Sequence, residues 1–135
     1  MERLKTALTN YYQMLKQAEE VEEKIKQIQY TMDGVGGISY DTVKAGTEDR
    51  GSKIIRLMDA KEPYEEVLDH LYIAMALLRT ELHLDTLTED EEALLRYALK
   101  DRLTYDTIAE RLHYSGKVVI HRKLKAIYKK LEGKE

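Results

Sequence analysis

The sequence predicts an all-α protein: a long N-terminal helical arm of two helices with a Gly-rich loop, followed by a C-terminal helix-turn-helix unit. Three observations lead there. Only one proline, Pro63, interrupts 135 residues. Apolar residues recur in steps of three and four over two long segments, the period of one helical face. Thirdly, a Thr-x-x-Glu capping box, a second capping threonine and a short turn divide the last fifty or so residues into brief helices. A chain of this length accommodates one domain, or one small domain plus an arm. The expected division is 1–86 for the arm, with its loop at 33–52, and 87–135 for the helix-turn-helix.

The first helix is the clearest element. From Arg3 to Met32 there is no Gly or Pro, and Leu4, Leu8, Tyr11, Leu15, Ala18 and Val21 begin a stripe that continues to Met32. The segment "EEVEEKIKQ" supplies a charged outer face. "DGVGGISYDTVKAGTEDRGS" (Asp33–Ser52) then holds five glycines and reads as a loop, with a short extended piece at 38–43. Helical spacing resumes from Lys53 to Leu84, and Pro63 is expected to open a new helix at its first turn. The two long helices suit an antiparallel pair, each hiding the other's apolar stripe. Either could instead pair with a second copy of the chain, and a homodimer through these helices stays open.

The C-terminal part starts at "DTLTEDEEALLRYAL". Thr88 and Glu91 make a capping box, and the acidic residues beside them complement the positive end of the helix dipole. That helix should end near Leu99. Thr104 caps a short helix carrying Ile108, Ala109 and Leu112; "HYS" turns the chain; Ser115 caps the last helix. At 100° per residue Ile120, Leu124, Ile127 and Leu131 share one face of that last helix. Val118, His121, Arg122, Lys125 and Lys129 share the other.

Charge separates along the chain. The net charge is −3, yet Lys117–Lys130 contains six Lys/Arg and no Asp or Glu. Residues 1–86 carry 11 basic and 16 acidic groups, whereas residues 113–135 carry 7 and 2. A local positive field attracts polyanions even on an acidic protein. A small residue where two helices nearly touch (Ala109), an apolar plug in the turn (Tyr114) and a basic outer face together suit a helix lying in the major groove of double-stranded DNA. The expected DNA-facing residues are Ser115, Lys117, Val118, His121, Arg122, Lys125 and Lys129. Thr104 and Tyr105 are expected to offer N–H groups to phosphate.

Other chemistry is less well supported. Without cysteine there is no disulfide, thiolate zinc site or Cys nucleophile. The pairs Glu19/Glu22, Glu20/Glu23 and Glu66/Asp69 have metal-binding spacing, but forty residues and a loop separate them, and a solvated acidic face is expected instead. No phosphate-cradling Gly-x-x-x-x-Gly-Lys loop occurs. No enzyme activity and no cofactor are expected. "MERLKTALTNYYQ" lacks the apolar core of a secretory signal, and no apolar run suits a membrane span, so a cytoplasmic location is expected.

"RLTYDTIAERLHYSGKVV…LKAIYKKL" resembles the C-terminal helix-turn-helix of sigma factors, region 4. The arm, the "ISYDTVKAG" loop (Ile38–Gly46) and this module together resemble phage-encoded transcriptional regulators of the ArpU and RinA type. The resemblance implies control of phage or prophage genes, often late ones, with RNA polymerase as a further partner. It places Ile108 and Ala109 in the core of the first motif helix, Val119 at the anchoring valine, and Lys117, Val118, His121 and Arg122 near the groove. The chain departs from that pattern at His113, where glycine is usual, and in an apolar stripe that starts at Ile120. An interaction module that grips polymerase or another acidic partner without reading DNA is the alternative.

Overall fold

The computed structural model describes residues 2–37 and 50–133, and within them the chain is all-α. Helix α1 spans Glu2–Gly37 and α2 spans Arg50–Glu81. A 3₁₀ turn at Leu84–Thr86 leads to α3, Glu89–Leu95, which runs on through a π-helical turn at Arg96–Lys100. Helices α4 (Tyr105–Arg111) and α5 (Lys117–Glu132) close the chain. Among the described residues, no helix is long and apolar enough to cross a membrane.

Two expectations about the long helices need correction. Asp33–Gly37 is the end of α1, and Arg50–Ser52 is the start of α2, so the loop expected at 33–52 is shorter at both ends. Glycine disfavours a helix by roughly 1 kcal/mol per residue, but adding a turn to an established helix is far easier than nucleating one. The remainder of that loop, including 38–43 and "ISYDTVKAG", lies outside the described residues. Pro63 opens no new helix; α2 passes through it. The ring forfeits one backbone bond, which the long flanking turns tolerate.

The described chain divides into two compact units, 1–16 with 73–135 and 17–72. The first turns of α1 and the last turns of α2 thus group with the C-terminal helices. In the first unit, Leu4, Leu8, Tyr11 and Tyr12 of α1 are buried, as are Met75 and Leu82 of the α2 end. Leu84, Leu95, Ile108, Ile120 and Leu124 complete a continuous apolar centre, each at most 2% exposed. The Tyr11 and Tyr12 rings meet edge to face at 4.9 Å.

Polar groups fasten this unit. Arg79 donates through Nη1 to the Tyr11 hydroxyl at 2.8 Å and through Nη2 to Asp85 Oδ1 at 2.7 Å. Its Nη2 also lies 2.8 Å from Glu92 Oε1, so one guanidinium ties α1, the α2–α3 turn and α3 together. Burial works against its charge, but bonds to Tyr11, Asp85 and Glu92 raise its pKa above the usual arginine value. Gln13 Nε2 donates to the Leu99 carbonyl at 2.8 Å, filling an acceptor left open at the end of the π turn. The Thr88–Glu91 capping box forms in full.

The second unit is a pair of helical segments, 17–37 and 50–72, joined through residues 38–49. Lys61 Nζ donates to Gln29 Oε1 at 3.0 Å across the pair and lies 3.6 Å from Glu65. Within this unit only Ala18 is buried among the described side chains; Val21, Ile25, Ile28, Ile54, Leu57 and Leu68 are half-buried.

Candidate nucleic-acid interface

The sequence of α4 and α5 sets their ends. Thr104 Oγ1 accepts from the Thr107 N–H at 3.2 Å and lies 2.8 Å from the Thr107 hydroxyl, capping α4. At the other end Tyr114 N–H donates to Ala109 O at 2.8 Å and His113 N–H to Glu110 O at 3.4 Å. That pair of bonds is a Schellman motif, and it requires a left-handed residue, here His113 with φ 61°. His83 and Arg102 are left-handed as well, after α2 and after the π turn. A side chain at such a position costs strain that a glycine would avoid.

Ser115 does not cap α5. The N-cap is Gly116, in extended conformation, and no side chain caps the helix. Both Ser and Gly are accepted at an N-cap, and here the turn closes one residue later than the Ser115 reading requires. Ser115 is exposed just outside the helix. Val119 N–H bonds to Gly116 O at 3.2 Å as α5 begins.

The two faces of α5 are distinct. Ile120, Leu124, Ile127, Tyr128 and Leu131 are buried. Lys117, His121, Arg122, Lys125 and Lys129 are exposed, and Val118 is 63% exposed among them. Val119, the position the sigma resemblance assigns as anchor, is only half-buried; Ile120 takes the fully buried place. The stripe that starts at Ile120 therefore describes the buried face of the helix.

Not all of the basic charge is outward and unengaged. Lys130 Nζ lies 2.9 Å from Glu91 Oε1, so that lysine joins α5 to α3. Burial works against it, but the Thr88 N–H and the Lys130 ammonium hold the Glu91 carboxyl below the usual glutamate range. Lys123 Nζ sits 4.9 Å from the centroid of the Tyr114 ring, the residue that fills the turn. Among the described residues, no carboxylate comes within ion-pair distance of Lys117, Arg122, Lys125 or Lys129.

A shallow cavity of about 180 Å³ opens beside this face, lined by Lys5, Tyr105, His121, Leu124, Lys125 and Tyr128. Lys5 of α1 holds its ammonium 5.3 Å from the Tyr128 ring, and the Tyr105 and His121 rings lie 6.3 Å apart at 44°. Burial, then the nearby Tyr105, pushes the Tyr128 hydroxyl pKa up, so it stays protonated. The sequence reading missed Lys5 altogether, since it is 120 residues from Lys125 and shares no motif with it. Tyr105 is exposed beside His121, whereas the Thr104 hydroxyl is taken by its own helix and Asp106 sets a carboxylate in the same first turn.

Among the described residues, no group of three or more His, Asp or Glu side chains converges as a metal site. Comparison with family models, with curated proteins and with solved structures finds no match to this chain.

Proposed function

We propose that the chain binds double-stranded DNA and regulates transcription, with the outer face of α5 docked in the major groove. The observation that carries this reading is the two-sided character of α5: one face buried, the other exposing Lys117, His121, Arg122, Lys125 and Lys129, with no carboxylate among the described residues against those lysines and that arginine. A helix fixed on one side and cationic on the other matches the width of the groove and the charge of its walls. Lys5 extends the same positive surface. The resemblance to sigma region 4 and to ArpU- and RinA-type regulators supports phage or prophage genes, often late ones, as the target. The helices of residues 17–72 are assigned to homodimer formation.

Phosphates supply most of the affinity in this scheme. About five neutralised phosphates give a log–log salt slope near −4.5. The test is a mobility shift with genomic fragments at near-physiological salt, using Arg122→Ala and Lys125→Ala. Both variants should weaken binding while keeping native helicity; undiminished binding in both removes the assigned face. A protein partner is the competing occupant, favoured by the exposed Val118 within the basic face. Capture of RNA polymerase by wild type but not by Val118→Asp, without any DNA shift, would replace the DNA reading by that one.

A further inference from the structure

The helical pair of residues 17–72 leaves its apolar surface unfinished. None of its described large apolar side chains is buried, and Tyr30 and Ile55 are 73% and 61% exposed. Met58 and Val67 are exposed as well, so apolar surface occurs in both halves of the pair. Two helices can hide only one seam each from water; four arranged as a bundle enclose a core.

Charge is divided along the same pair. The open end, residues 17–23 and 65–72, holds seven carboxylates and no lysine or arginine. The connected end, residues 24–34 and 51–64, holds five basic residues and three acidic ones. A second copy of this segment is therefore its electrostatic complement when reversed. An isologous two-fold contact satisfies both ends at once, because each acidic end meets the partner's basic end.

We infer that residues 17–72 of two copies associate antiparallel into a four-helix bundle, acidic open end against basic connected end. This rests on the homodimer reading of the arm and is independent of DNA binding.

The experiment is sedimentation of the full chain without DNA. Wild type should form a dimer. The double variants E20K/E23K and K24E/K26E change exposed residues and place like charges across the contact. Each should dimerise roughly tenfold more weakly or worse. An equimolar mixture of the two should recover wild-type association, since each variant's altered end then meets a complementary one. Disruption within a single helix is not repaired by mixing.

A monomeric wild type overturns both the homodimer reading and this arrangement. A dimer whose variants associate like wild type, or whose mixture fails to recover, overturns the antiparallel arrangement alone. Spin labels on Asp33→Cys provide a second check in a chain without native cysteine. The labels, near the connected ends, should lie far apart; close labels indicate parallel pairing and overturn the arrangement.

Discussion

Residues 1–16 with 73–135 and residues 17–72 are built from the same sequence device, a helix with apolar residues every three or four positions, yet they end in different physical states. In the first unit the stripe of α1 has neighbours enough to leave most of its length buried: Leu4, Leu8 and Tyr11 are buried, as is Ile120 of α5, and Arg79 closes the seam between α1, the α2–α3 turn and α3. In the second, Ile25 and Leu57 occupy equivalent stripe positions and remain half-exposed. Periodicity thus specifies which face turns inward, whereas the number of elements around that face decides whether it leaves water.

The largest expected effect follows directly. Leu124→Ala, in the buried centre, should cost about 2–5 kcal/mol in denaturant unfolding because a cavity is left behind. Leu57→Ala in dilute protein should cost on the order of 1 kcal/mol, since its side chain already shares its surface with water. Equal costs at the two positions would break the comparison. A Leu57→Ala penalty that grows with protein concentration would sharpen it, by locating the missing burial in a second copy.

A smaller effect concerns the α3–α5 tie. Glu91→Gln keeps the shape of the capping box but removes the charge facing Lys130, and should destabilise by about 1 kcal/mol. The sign with pH is fixed by the lowered pKa of Glu91. Its stabilisation is present above the ordinary glutamate range and is lost as pH falls through the lowered folded-state value. Acid unfolding should therefore be less steep in Glu91→Gln than in wild type, as read by circular dichroism.

The smallest effect has the opposite sign. His113 is exposed and left-handed, so His113→Gly should stabilise by about 0.5–1 kcal/mol in thermal unfolding. A loss of stability there would mean that the imidazole contributes more at the helix end than its backbone costs.

Much of this was legible in the sequence. The Thr88–Glu91 box, the Thr104 cap, the ends of α4 and the inner face of α5 are local patterns, written within four residues or within one helix. The left-handed His113 was legible too, as the place where a glycine is missing. The Ser115 cap was misassigned because Ser and Gly are both acceptable at adjacent positions, and only the closing of the turn selects Gly116. The grouping of residues 1–16 with 73–135, the Arg79 clamp and the approach of Lys5 to Tyr128 join positions roughly 70 to 125 residues apart, where no local spacing carries a signal. Pro63 was read by its usual preference, which a long helix overrode.

The most direct test of the central claim is the salt dependence of binding to a mixed-sequence DNA duplex, compared between wild type and Lys125→Ala by fluorescence anisotropy. The outward face of α5 predicts a wild-type log–log slope near −4.5, made shallower by about 0.9 when one phosphate contact is removed. An identical slope in both proteins, or no binding to DNA even at low salt, would contradict it.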